Sequence, residues 1–572
     1  MDIIRVDMAA KKVTRTELPK EYKQWGGRGL TSLMINKEVD PECDPLGPGN
    51  KLIIAPGFLS GTGFVNTSRV SIGAKSPLTG GIKESNAGGT TGALLGRLGI
   101  GCIVFENQPK DIASHIFKID KAGTAELLSA DNYKGMRTYT LVESLHREYG
   151  EKNSILCIGP AGEFQLASAS IQATDVDGRP CRAAGRGGMG AVMGSKGIKA
   201  IVIEQGADSK ASLADPIAFK DAGKIYATVT KELPFTGKML PALGTAGLVG
   251  PVNSMGAFPS KNATKGTMDG WEDISGETLA ALIKERNGKT AHLGCSQCIV
   301  RCSNEFVDKN GQYVTSSLEY ETIWAMGGMT GIKDLDIIAN LDFLCDDIGV
   351  DTMNTGVAVG VAMDAGHTAY GDGQAAIDLV EQIGQGSDFG KILGNGPDHM
   401  GKYLNHKRVP TVKGQSIAAY DPRGMQGNAV TYATSTMGAD HTAGNLVGLY
   451  LNGVLDPLKA DGQVEASRNA QMMMVLFDWT GMCLLAGAAI NTPDGKEAFL
   501  TAINARSGTD FSFEDIMARS IQVLKEEREF NQKAGLKAAD DRLPEFFYTE
   551  PLPPHNKVVL IKGEEMDEVF DF

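Results

Sequence analysis

Three cysteines fall within eight residues, Cys295-Ser-Gln-Cys298-Ile-Val-Arg-Cys302, so any fold of this chain brings three thiols towards one point. A short loop with this spacing can wrap one face of an iron–sulfur cluster, which then needs a fourth ligand. Cys43, Cys102, Cys157, Cys181 and Cys345 mostly stand in apolar strand-like or helical contexts, where a free cysteine packs as a small hydrophobe. Cys483 instead closes an Asp-x-x-Gly loop whose backbone can turn a sulfur inward, and it is the expected fourth ligand. Zinc would call for four Cys or His in paired spacing, and the sequence offers no second CxxC or HxxxH. His292 is close by, but a neighbouring histidine is more often packed or solvated. Nine cysteines in 572 residues are too few for a disulfide scaffold. The opening MDIIRVDMAAKKVTRTELPKEY lacks the apolar centre of a secretory leader, so a reducing, cytoplasmic compartment is expected.

Glycine is over-used, at 71 residues, and it gathers in motifs rather than linkers. Gly26-Gly-Arg-Gly29, Ser85-Asn-Ala-Gly-Gly89 and the run from Arg182 to Lys196 combine glycine with Asn, Arg or Lys. Glycine lets backbone N–H groups approach a ligand, and arginine offers a planar fork of donors, so such loops suit phosphate. None is a P-loop, and none follows the strand–GxGxxG–helix pattern of a dinucleotide site. A large phosphorylated cofactor is expected rather than a nucleotide. The net charge of −13 has no compensating basic stripe, which argues against nucleic acid, and no apolar run reaches the length of a membrane span.

Residues 1–208 carry short β-like runs (KLIIAPGFL, RVSIGAK, GCIVFEN, SILCIGPA, IKAIVIE) between glycine-rich turns. Residues 209–417, with the cysteine loop, and residues 418–572 carry apolar residues at helical spacing. The predicted class is α+β: a β-rich N-terminal cofactor-base domain followed by two mainly α-helical domains. Two segments share the form Asp-x-x-Gly-x-(Asp/Cys): Asp346 to Asp351 and Asp478 to Cys483. A glycine at a helix end is ordinarily a C-cap. Two such loops in two helical regions point to related grips on two related parts of one ligand.

RAAGRGGMGAVMGSKGIKAI, ESNAGG, SRVSIGAKSPLTG, CxxCxxxC, EYETIWAMG, AYDPRGMQG and the two Asp-x-x-Gly loops together resemble the aldehyde ferredoxin oxidoreductase family over nearly the whole chain. The resemblance implies tungsten (or molybdenum) bound by the dithiolene sulfurs of two pterins, with no side chain on the metal. By motif position, Arg69, Asn86, Gly88, Arg182 and Ala183 would contact one pterin or its phosphate. Asp346, Val350, Asp351, Asp478 and Met482 would grip pterins through the paired loops, and magnesium would bridge the pterin phosphates. Cys483 would complete a [4Fe-4S] cluster with Cys295, Cys298 and Cys302.

The same resemblance places Glu321 and His441 near the open metal face. There Glu321 would activate water, while His441 and Tyr320 would hydrogen-bond the carbonyl oxygen of an aldehyde on its way to a carboxylic acid. Ferredoxin or a small iron–sulfur subunit would take the electrons near the Cys295–Cys302 loop, and a homo- or hetero-oligomer is expected. Ala443 departs from the pattern, because a lysine is expected two residues after His441, and its loss weakens one pterin-phosphate contact. The nearest alternative is the catalytic subunit of a multisubunit reductase acting on an aromatic acid or thioester. A non-catalytic iron–sulfur scaffold would have no use for the glycine-rich loops or Glu321.

Overall fold

The computed structural model describes residues 1–112, 114–206 and 211–572. The boundary expected between 208 and 209 lies outside the described residues. The N-terminal region contains twelve strands in two six-stranded sheets. The first sheet holds β1 (Asp2–Asp7), β2 (Lys12–Glu17), β3 (Leu52–Pro56), β4 (Val70–Lys75), β5 (Ile82–Ala87) and β6 (Ile100–Glu106). The second holds β7 (His115–Ile119), β8 (Ala125–Ser129), β9 (Ser154–Cys157), β10 (Ile171–Ala173), β11 (Arg182–Ala184) and β12 (Ile198–Ile203).

The sheet orders are β2-β1-β6-β3-β4-β5 and, read from the opposite edge, β8-β7-β12-β9-β10-β11. In each, the first strand pairs parallel to the last and every other pairing is antiparallel. Each also has one helix before its third strand (Gly27–Glu38; Thr138–Tyr149) and one after its fifth (Thr91–Arg97; Met189–Ser195). The base is therefore one β-β-α-β-β-β-α-β unit built twice.

Isoleucine and valine on β3, β4, β6 and β12 are buried on both strand faces, which explains their unbroken apolar runs. The two sheets share one apolar core, in which Phe105 meets Phe117 edge to face at 5.1 Å. From Pro216 onwards the chain is mostly helical, with a small three-stranded sheet of β13 (Lys289–His292), β14 (Ser303–Val307) and β15 (Tyr313–Ser316). The cysteine loop is the β13–β14 connection. The α+β class holds, with the strands concentrated in the first 205 residues.

Each copy seats one Asp-x-x-Gly loop. The Leu335–Ile348 and Gln463–Thr480 helices end on left-handed glycines, Gly349 at φ 80° and Gly481 at φ 79°. Gly57, after β3, lies so close to the second loop that a Cβ there would stand 2.1 Å from the Cα of Gly481. Gly159, after β9, would place a Cβ 2.2 Å from the carbonyl of Ile348. The backbone N–H of Arg69 donates to Gly481 O and that of Ser170 to Gly349 O, at 3.4 and 2.9 Å. Cys483 N–H donates to Asn66 O at 2.9 Å, and Asp351 N–H to Ser168 O at 3.0 Å.

Adding a methyl at either contact forces backbone apart, so Gly57→Ala and Gly159→Ala are each expected to destabilise by about 1–3 kcal/mol or more. Gly448→Ala, which meets only open space, is the control. Thermal denaturation should show a drop of several degrees for the first two and little change for the third.

Candidate functional site

The cysteine loop lies against the first sheet copy. Ser296 N–H donates to Gly89 O at 3.0 Å, and Asn66 N–H donates to Gln297 O at 3.0 Å. A Cβ on Gly88 would sit 2.5 Å from Cys295 Sγ, so glycine is required there for the sulfur to approach. The Cys298 thiol accepts from Asn66 Nδ2 and from Arg301 N–H, both at 3.3 Å. Because the Cys483 amide is bound to Asn66 O, one asparagine joins the loop to the second Asp-x-x-Gly turn. All four expected cysteines therefore converge, and they influence one another electrostatically.

Burial pushes the Cys298 thiol up to about 11, with Cys295 adding to it, and raises Cys302 well above the ordinary range. Such thiols stay protonated until a cation arrives, and metal binding then releases the protons. Among the described residues, the one grouping of three His, Cys, Asp or Glu ligand atoms within 4.8 Å of one another is Asp175, Asp177 and His292. The four thiols are spaced more widely than that. Tetrahedral zinc holds sulfurs about 3.8 Å apart, and no three of these thiols lie mutually within 4.8 Å. His292 itself is packed between Ser303 Oγ (3.1 Å) and Asp177 Oδ2 (2.7 Å).

Around this point the first copy supplies Arg69, whose guanidinium donates to Asn86 Oδ1 at 2.7 Å. Asp478 lies 3.3 Å from the buried Arg28, which also pairs with Glu527 at 2.8 Å. Burial, and after it the neighbouring Glu84, raises Asp478 well above the usual carboxylate range. On the second side Asp346 is raised in the same way, by burial and by Asp342, one helical turn earlier. Asp342 itself is pushed up to about 7 by burial. Asp351 caps the Thr352–Asp364 helix through the N–H groups of Met353 and Asn354 and stands 3.6 Å from Arg186. The side chains of Val350 and Met482 join the two large apolar cores.

Arg182, at the start of β11, ion-pairs with Glu319 at 3.7 Å, whereas Ala183 is exposed on the same strand. The Nε atoms of Arg182 and Arg186 are buried and have no hydrogen-bond partner in the protein. Buried donors without partners are costly, and an anionic cofactor would satisfy them. The glycine-rich loops, the paired arginines and the convergent thiols thus fit a phosphorylated cofactor beside an iron–sulfur cluster.

Tyr320 and Glu321 begin a short helix, Tyr320–Ile323, that continues as a π-helical turn, Trp324–Gly328, a departure common at functional sites. Glu321 Oε2 accepts the Ala419 N–H at 2.9 Å, and Oε1 lies 3.4 Å from His441 Nε2. Burial raises Glu321, only partly offset by His441 and the Ala419 hydrogen bond. Glu321 Oε1 and His441 Nδ1 are buried without hydrogen-bond partners in the protein. The Tyr320 hydroxyl donates to Ala419 O at 2.8 Å. Its proton is committed there, so of the two expected donors His441 is the free one.

Sequence reading passed over the charged groups that brace this pocket. Lys83, two residues before Ser85-Asn86, pairs with Asp440 at 2.9 Å in the interior, and Glu84 is buried beside Arg28 and Asp478. A Lys-Glu pair inside a strand that otherwise reads as buried was the available signal.

If the thiols hold iron as their sequence spacing suggests, anaerobically prepared protein should carry about four irons per chain. Cys298→Ser or Cys483→Ser should reduce that content sharply, while Cys345→Ala should leave it unchanged; elemental analysis with the visible absorption spectrum is the measurement.

The family model for the aldehyde ferredoxin oxidoreductase N-terminal domain matches residues 3–205, and the model for domains 2 and 3 matches residues 221–571. The chain is 34% identical over 586 residues to the tungsten-containing aldehyde ferredoxin oxidoreductase of Pyrococcus furiosus, covering 98% of this chain and 94% of the relative. The enzyme of the same description from Thermococcus kodakarensis is 34% identical over 590 residues, with the same coverages. The aliphatic sulfonate oxidoreductase, WOR-like subunit, of Pyrococcus furiosus is 28% identical over 484 residues, covering 77% of this chain and 74% of that subunit. Among solved structures, the active site complex BamBC of benzoyl coenzyme A reductase shares the fold at TM-score 0.81 and 18% identity, covering 100% of this chain and 93% of that one.

Proposed function

This chain belongs to the aldehyde ferredoxin oxidoreductase family and is an oxidoreductase; from that premise we propose that it oxidises aldehydes to carboxylic acids and delivers the electrons to ferredoxin or a partner subunit. The observation that carries the reading is the Glu321–His441 pair, 3.4 Å apart, each with a buried polar atom that no protein group satisfies. A carbonyl substrate and a water are the ligands that such a base–donor pair accommodates.

Cys295, Cys298, Cys302 and Cys483 would hold a [4Fe-4S] cluster that, beside a tungsten (or molybdenum) bis-pterin, would supply two-electron oxidation and single-electron transfer when bound. Arg69, Asn86, Gly88, Arg182 and Ala183 would hold a pterin or its phosphate. Asp346, Val350, Asp351, Asp478 and Met482 would hold the pterins at the paired loops, and magnesium would offset phosphate charge. Ala443 removes one basic contact expected there, and Lys83 and Arg186 are the cations the structure places in that neighbourhood.

The chain's own chemistry then follows from charge. Glu321, with its affinity for protons raised by burial, can take one from water at its free Oε1. His441 donates from the opposite side to the carbonyl oxygen as negative charge develops. The buried ring of Tyr420 lies 6.1 Å from that of His441.

A base is lost as pH falls through its own proton affinity. Because Glu321 is raised, kcat should decline on the acid side at a pH above the ordinary carboxylate range. Glu321→Gln should remove that limb and lower kcat by about 100-fold or more. A panel of aldehydes with a viologen acceptor, run on protein with tungsten, molybdenum and iron counted, checks both. Metal-loaded protein that oxidises none of them, or that purifies only with iron–sulfur partners and reduces a thioester, would replace the aldehyde reading.

A further inference from the structure

Asp440 is buried, and its two carboxylate oxygens face different ways. Oδ2 accepts from Lys83 Nζ at 2.9 Å and from Gln415 Nε2 at 3.1 Å. Oδ1 accepts from the N–H and hydroxyl of Thr442, at 3.0 and 2.8 Å, capping the short His441–Ala443 turn. The same Oδ1 lies 3.7 Å from His441 Nδ1 and 4.0 Å from Arg186. The imidazole therefore stands between two carboxylates, with Asp440 towards Nδ1 and Glu321 towards Nε2.

Capping a turn needs only a polar acceptor, and asparagine or serine performs it as well as aspartate. Burying a full charge for that purpose, together with a lysine to match it, is costly. Beyond Lys83, 2.9 Å from Oδ2, the charge faces the ring of His441, whose Nδ1 lies 3.7 Å from Oδ1 and which a neutral cap would not affect in the same way. Besides Glu321 and Asp440, the titratable or charged groups around this site include Tyr420, Tyr320 and Tyr432 on the Glu321 side and Lys83 and Arg186 behind Asp440. Burial works to raise Asp440, but Lys83 and Arg186 hold its carboxyl far below the usual range, so it is an anion throughout the working pH.

We propose that Asp440 is a positioning residue for His441: its carboxylate, 3.7 Å from Nδ1 and not hydrogen-bonded to it, acts on the ring through its charge and orients it so that Nε2–H is presented to the substrate oxygen. Lys83 sets the strength of that action, because it competes with His441 for the same negative charge. The inference rests on the donor role assigned to His441 above, and its test separates the two.

Asp440→Asn retains the cap and the shape but removes the charge. Histidine-labelled protein, with the His441 signal identified by its loss in His441→Asn, reports the ring's protonation by nitrogen NMR without any substrate. In Asp440→Asn the ring should lose its second proton at a lower pH than in the unmodified protein, by about one pH unit or more. The alkaline limb of kcat should move down by the same interval, with kcat reduced and KM little changed. Lys83→Met leaves Asp440 less neutralised, so both readouts should move in the opposite direction, which general damage to the fold would not produce. An unchanged His441 signal in Asp440→Asn, or shifts of the same sign in both variants, would overturn the proposal. If the signals move as expected but no aldehyde is oxidised, the positioning role stands and the aldehyde reading fails.

Discussion

The two Asp-x-x-Gly loops are seated where backbone touches backbone. Gly57 lies against Gly481, and Gly159 lies against Ile348 and Gly349, closer than any side chain would allow. These contacts fix the ends of two long helices over the two copies of the sheet unit. Asp478, Cys483, Asp346 and Asp351 all follow from those helix ends, so their placement depends on the absence of a Cβ at Gly57 and Gly159, and at Gly27, where one would lie 2.0 Å from Asp478 O. The repeat extends to the helices that support the strands. A Cβ on Gly92 or on Gly190 would lie 2.4 or 2.3 Å from the carbonyl of Ser68 or Ser170. One on Gly96 or Gly194 would lie 2.1 or 2.3 Å from that of Ser60 or Gly162.

Between the two copies the chain has collected an unusual density of buried charge. Arg28, Arg182, Arg186 and Lys83 face Glu84, Glu527, Asp346, Asp351, Asp440 and Asp478, and the balance differs from place to place. Glu527 and Asp440, each beside a cation, are held below the usual range despite burial. Glu84, Asp346, Asp478 and Glu321 are raised by burial. The first group stays ionised, while the second is left with capacity to accept or share protons. Uncompensated groups of this kind are tolerated where a ligand completes them.

The cysteine loop, the glycine-rich runs and the paired Asp-x-x-Gly loops were legible in the sequence because each obeys a local rule of spacing or backbone geometry. The duplicated sheet unit was not. Its copies share almost no side chains, and the one stretch that repeats visibly, Gly92-Ala-Leu-Leu-Gly96 against Gly190-Ala-Val-Met-Gly194, is a pattern of small residues that reads as two unrelated helices. Topology is conserved here by glycine positions, and single glycines look alike whether they permit a turn or a close contact. Asp440 was hidden for a different reason. Next to a histidine and before a threonine it reads as an ordinary cap, and only the fold brings Lys83 to it from a strand 357 residues earlier. Tyr320 shows the converse: its place beside Glu321 is local, but the use of its hydroxyl is set by a carbonyl 99 residues away.

A doubled cradle is, by itself, blind to direction, since whatever it offers one half of a ligand it offers the other. Here the two loops differ most in chemistry at their last position. Two residues beyond the capping glycine, one turn carries Asp351 and the other Cys483, on amides that make matching bonds to Ser168 and Asn66. On one side the group is hard and anionic and caps a helix; on the other it is a soft sulfur beside three more. That exchange gives a two-fold frame a polarity, with a helix-capping carboxylate on one side and a thiol on the other.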